Sequence, residues 1–280
     1  MLTQSNASPL LLLKSGTGSK VTFIVPGHGD SAAELSLLCS KIRTGHRIYG
    51  LQPRGIDGIG EPFDRIEDIA RHFVSAIVDV QPHGPYHLIG FSLGGIVAFE
   101  AAHQLRRRHE SIAFLGLLDT YPHPRFWPLR CWLSVLKGRA RHHLSQFAAL
   151  PSHNVLPYLS KISASLMDHL RSRIGRKPKM KWSKGTATGS QELKRLEDNN
   201  VVALSRYQPQ RYPGKLTFVQ AVPLTLAGRK FPDSPATIWS ALCESFELHV
   251  LRGEHAALVR VNEGLADVLS QCLQQTGELS

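Results

Sequence analysis

A chain of 280 residues with 42% hydrophobic content can bury one large core or two modest ones. The only early apolar run, Leu10 to Leu13, is too short for a membrane span or a signal-peptide core, and Cys39, Cys131, Cys243 and Cys272 form neither a C-x-x-C pair nor a metal-spaced cluster. The net charge of +11 is concentrated: the segment 121–190 carries 13 of the 33 Lys and Arg and one of the 22 acidic residues, Asp168, which leaves the remainder close to neutral.

These features describe a cytoplasmic protein with reduced thiols, no membrane span and no resident metal. The basic segment carries no helix-turn-helix, zinc-finger or RRM signature, so no nucleic-acid partner is expected. A face for an acidic protein partner, or a solvated insert, accounts for it equally well.

Taken in chain order, strands are predicted at 21–25, 47–51, 86–91, 112–118, 215–221 and 246–251, with helices at 32–42, 66–80, 94–108 and 258–273. The strands are unbroken apolar runs such as Val21-Thr22-Phe23-Ile24-Val25, which suits strands covered on both faces. Strand and helix alternate, so the fold class is α/β with a mostly parallel sheet. That rhythm stops after Leu118. Leu159, Ile162, Leu166, Leu170 and Ile174 share one face of a helix, residues 176–189 read as a basic loop, and a further helix is predicted at 192–207. One domain spanning 1–280 is expected, interrupted by a helical, basic lid insertion at 122–207.

Gly90-Phe91-Ser92-Leu93-Gly94 matches G-x-S-x-G. The motif needs a strand before it and a helix after it, because the serine takes a strained backbone turn that neighbouring side chains would obstruct; both are predicted here. A bare match is also what an ordinary glycine-rich turn shows. A serine hydroxyl is a weak nucleophile and needs a base, and the base needs an orienting acid; in α/β-hydrolases these follow in the order Ser, Asp or Glu, His. Asp119 closes the run 112–118 at a strand's C-terminal end, where open α/β sheets gather their functional groups. Among 14 histidines, His255 alone lies between the last predicted strand and the final helix. Asp233 is the reserve acid. Stabilising an oxyanion takes two donors: the Leu93 N–H at the start of the helix and the His28 N–H from the Pro26-Gly27-His28-Gly29-Asp30 loop.

With these residues assembled, the chain resembles the chain-terminating thioesterase domains of nonribosomal peptide and polyketide synthases. The similarity runs through 23–30, Tyr49 to Gly58, 90–101, Leu117 to Pro122, 206–214 and 253–258. It implies an α/β-hydrolase fold, Ser92-Asp119-His255 as a triad, a helical lid, and an acyl, peptidyl or polyketide chain delivered on the phosphopantetheine arm of a carrier protein, with no further cofactor. Release by hydrolysis or by cyclisation is open at this point. So are a carboxylesterase or lipase on the same fold and a non-catalytic binding protein. Two departures stand out: His28 occupies a place usually small or apolar, and residues 126–190 match the family poorly.

Overall fold

The computed structural model describes residues 8–58, 60–131, 133, 137, 191–222 and 236–276. The chain divides into two compact units, one formed by Met1–Pro124, Gly189–Leu224 and Ser234–Ser280, the other by Arg125–Thr188 and Thr225–Asp233. Of the second, the described residues include buried Trp127 and Cys131. The expected helix across 159–174, the basic loop at 176–189 and Asp233 lie outside the described residues.

In the first unit the described residues form a seven-stranded sheet. Its strands are β1 (Leu10–Lys14), β2 (Val21–Val25), β3 (Arg47–Leu51), β4 (Tyr86–Phe91), β5 (Ile112–Leu118), β6 (Tyr212–Val222) and β7 (Cys243–Arg252). They lie in the order β1-β3-β2-β4-β5-β6-β7. Every neighbouring pair is parallel except β1 with β3. This is the expected α/β architecture, and all six predicted strands are present. β1 is an addition: it is an edge strand with Leu11 and Leu12 half exposed, so its apolar run lacks the covered character of its neighbours. β6 begins at Tyr212 rather than at 215, because Pro213 and Gly214 are accommodated by a shift of register against β7 instead of ending the strand.

The helices are α1 (Ser36–Lys41), α2 (Ile66–Val80), α3 (Leu93–Arg107), α4 (Gln191–Arg206), the short α5 (Ala236–Trp239) and α6 (Glu263–Gln275). Leu35, Leu38 and Ile42 around α1 join Leu265, Leu269 and Leu273 of α6 in one apolar cluster with Ile24, Ile89 and Leu118 of the central strands. α2 buries Ile66, Ala70, Phe73, Val74 and Ile77, a stripe at helical spacing, and packs on α3. α3 is buried along nearly its whole length, Glu100 and His103 included, because it is enclosed between the sheet and α2. All four cysteines are free and buried. Among the described residues no helix is long and apolar enough to cross a membrane.

Two predicted helices differ in detail. The stretch 32–42 divides into a 3-10 turn at Ala32–Leu35, capped by Ser31 and Glu34, and α1. The last helix starts at Glu263, not at 258. His255–Ala257 forms a 3-10 turn first, and Leu258 and Val259 are buried in the non-helical turn that follows it, so their apolar character does not signal helix.

Candidate active site

The parallel ladder brings the C-terminal ends of β2, β4 and β5 nearly level, with Val219 of β6 alongside. Val25 pairs with Gly90, Phe91 with Leu118, and Leu118 with Val219. The residue after each of the two central strands continues that ladder by its backbone: the Ser92 N–H donates to the Leu118 carbonyl at 2.9 Å and the Asp119 N–H to the Val219 carbonyl at 2.7 Å. Ser92 and Asp119 therefore stand side by side at one rim of the sheet. β6 and β7 run three residues further, to Val222 and Arg252, before Gly253 turns the chain back toward that rim with His255.

Ser92 has φ +54° and ψ −119°, a strained conformation for a residue with a Cβ. The turn leaves no room beside it. A methyl group on Gly90 would stand 2.2 Å from the Gly94 carbonyl oxygen, and one on Gly94 would stand 2.1 Å from the Pro26 carbonyl oxygen. Both glycines are thus required by backbone approach, as any tight strand-to-helix turn would require; what goes beyond such a turn is the strained serine it presents. Asp119 also has positive φ, +44°, which aspartate tolerates better than most residues.

The three side chains predicted from sequence meet. His255 Nδ1 lies 2.7 Å from Asp119 Oδ2, and His255 Nε2 lies 3.0 Å from Ser92 Oγ. Asp119 is buried, and its other oxygen, Oδ1, accepts the Ala221 N–H at 3.2 Å. Both carboxylate oxygens are therefore held, and the imidazole has one acceptor in a fixed direction. The ring also stacks on Phe91, centroids 4.9 Å apart at 27°, so rotation about χ2 is restricted from its face.

Leu93 is the first residue of α3, and its N–H has no partner within the helix. The Pro26–Gly29 loop runs against this helix end, as the Gly94 to Pro26 approach shows, and Gly27 lies against the Phe91 ring, so close that a methyl there would come within 2.9 Å of it. His28 sits in that loop, partly buried. Burial lowers the proton affinity of its imidazole, and Asp198 on α4 opposes the shift. The loop continues into Asp30, whose carboxyl is raised by burial and by Glu34, against Arg260 and His255. Sequence reasoning missed Arg260, which reaches this loop from the turn that follows His255: it is one basic residue among 33, and nothing local marks it.

Comparison with known proteins supplies relatives. The family model described as "Thioesterase domain" matches residues 22–276. A dimodular nonribosomal peptide synthase of Bacillus subtilis (strain 168) is 38% identical over 128 residues, 46% of this chain and 5% of that protein. The microperfuranone synthase of Emericella nidulans is 28% identical over 275 residues, covering 93% of this chain and 28% of that protein. The chain thus spans only a minor part of these relatives. Among solved structures, the NocB thioesterase domain from the nocardicin cluster superposes with a TM-score of 0.60 at 18% identity, covering 96% of this chain and all of that one; at that identity the likeness speaks for the fold.

Proposed function

The chain belongs to the thioesterase domain family, and we propose that it is a serine thioesterase whose nucleophile is Ser92, whose base is His255 and whose orienting acid is Asp119. The observation that carries this reading is the unbroken line from Asp119 Oδ2 through both imidazole nitrogens to Ser92 Oγ, at 2.7 and 3.0 Å. The family relation to nonribosomal peptide synthases supports an acyl or peptidyl thioester as substrate.

In this reading His255 Nε2 takes the hydroxyl proton as Oγ attacks the thioester carbonyl. Asp119 accepts Nδ1–H and stabilises the imidazolium that results. The carbonyl oxygen becomes an oxyanion, met by the N–H groups of Leu93 and His28. Collapse breaks the C–S bond, the proton passes from His255 to the leaving thiolate, and an acyl ester on Ser92 remains. Water, or a nucleophile within the acyl chain, repeats the cycle and frees Ser92. Written this way, the chemistry calls for no metal and no diffusible cofactor. The thiol released is the phosphopantetheine arm of a carrier protein, and the basic residues of the 122–207 insertion, the proposed lid, supply a face for that acidic partner.

The test compares an acyl-N-acetylcysteamine thioester with the matching ethyl ester, in the wild type and in Ser92→Ala. A fluorophosphonate should label the wild type at Ser92, and the thioester should be turned over much faster than the ester. Preference for the ester would favour a carboxylesterase. Failure of Ser92 to label would remove the catalytic reading altogether.

A further inference from the structure

Resting on the thioesterase reading, we propose that Arg260 is a positioning residue that sets the spacing between the turn carrying His255 and the loop carrying the oxyanion donor His28. One guanidinium nitrogen, Nη2, donates to Asp30 Oδ1 at 3.2 Å and to Glu34 Oε2 at 2.7 Å. Both acceptors belong to the segment after β2.

Each end of this bridge is locally rigid. Arg260 N–H donates to the Ala257 carbonyl at 3.3 Å, and Ala257 N–H to the Glu254 carbonyl at 3.0 Å, so Arg260 and His255 ride on one turn. On the other side Ser31 and Glu34 cap each other across the 3-10 turn, and the Ser31 hydroxyl and Ala32 N–H both donate to Gln52 Oε1. A shift of Asp30 and Glu34 therefore carries the Pro26–Gly29 backbone with it. Asp30 also stands within electrostatic reach of His255. Without Arg260, Asp30 and Glu34 would face each other with no cation between them.

Stability is a poor explanation for the cluster. The side chains of Arg260 and Glu34 are 53% and 44% exposed and that of Asp30 is 22% exposed, and pairs made by so open a guanidinium contribute little to folding in water. Geometry at the reacting atoms is far more sensitive, since misplacement by an ångström can cost two orders of magnitude in rate.

The experiment measures kcat and KM with the fastest acyl-N-acetylcysteamine substrate, the rate of fluorophosphonate labelling at Ser92, and thermal melting. It uses the wild type, Arg260→Met, Arg260→Lys, Asp30→Asn/Glu34→Gln and the triple variant. In Arg260→Met, kcat and labelling should fall by about tenfold or more, with KM within twofold and melting little changed. Arg260→Lys should recover a large part of the loss. The carboxylate double variant should lose as much as Arg260→Met, and the triple variant no more than either, as expected of groups acting as a unit. Wild-type kcat and labelling in Arg260→Met would overturn the inference; so would losses that multiply in the triple variant, or a loss matched by the unfolded fraction. A wild type that labels at Ser92 but turns over no thioester would count against the thioesterase reading, while the labelling rates would still decide the role of Arg260.

Discussion

Lowering the pH toward 4 charges a histidine that the fold holds neutral. His87 lies on β4, buried at 1% exposure, with Nε2 3.1 Å from Thr276 Oγ1 and its ring edge-on to His46 at 4.7 Å. Burial, then His46, then Lys20 push its pKa down from 6.5 to about 4, and only the Val21 backbone acts the other way. A folded value below the unfolded one means that the unfolded chain binds more protons as the pH falls. The associated stability is fully present above pH 6.5, is lost progressively below it, and is gone below about 4. A difference of about 2.5 units corresponds to about 3 kcal/mol, or 1.36 kcal/mol for each pH unit inside the window. That is a large share of the 5–15 kcal/mol typical of a domain. The assay is urea unfolding at pH 7, 6, 5 and 4.5 for the wild type and His87→Gln, whose side chain does not titrate. The variant is expected to be the less stable at pH 7 and to gain on the wild type by about 2 kcal/mol by pH 4.5. Carboxylates remote from His87 titrate in both proteins and cancel in the difference, and replacing His46 with Gln in both backgrounds removes its coupling to His87. Parallel stability curves would refute the reasoning, because they would show that His87 takes up no proton on unfolding.

Three further outcomes follow from contacts at and behind the site. Asp119→Asn keeps the shape but offers Nδ1 of His255 an amide donor in place of an acceptor, favouring the wrong tautomer; kcat for a small thioester should fall about 10³- to 10⁴-fold with KM nearly unchanged, and a loss under tenfold would contradict the role given to Asp119. Tyr207→Phe removes the hydroxyl that donates to Glu100 Oε2 at 2.9 Å, leaving that buried carboxylate with Gln104 and Arg107; urea unfolding should show a loss of about 2 kcal/mol at pH 7. Gly94→Ala forces a methyl to within 2.1 Å of the Pro26 carbonyl, so the protein should lose about 1–3 kcal/mol and, in its folded fraction, label more slowly with fluorophosphonate.

What sequence can reveal of this molecule depends on whether a residue's environment is local. β2, β4 and β5 are legible because helices cover both of their faces, so nearly every position is apolar, with Thr22 and His87 as buried polar exceptions, and the run ends where the strand ends. Ser92 and Asp119 inherit that legibility: each is the first polar residue past such a run, and the ladder fixes them side by side. His255 follows the same logic at the end of β7, although β7 itself is less apolar because it lies at the sheet's edge. β1 escapes detection for the opposite reason. Its four leucines meet one neighbouring strand and remain half open to water, so their pattern says little about pairing. The start of the last helix is misread because burial of Leu258 and Val259 is the same whether the backbone there is turn or helix. Arg260 is illegible altogether. Its partners Asp30 and Glu34 are more than 220 residues away, and each of the three looks like an ordinary surface charge until the sheet rim brings their loops together. The positions of Ser92, Asp119 and His255 are thus dictated by where strands stop, whereas the bridge between the turn carrying His255 and the segment after β2 is made by pairs no periodicity encodes. Substitutions at such pairs should accordingly alter rate before they alter folding, since ion pairs on an open guanidinium hold little of the stability and the proposed chemistry is sensitive to the distances they span.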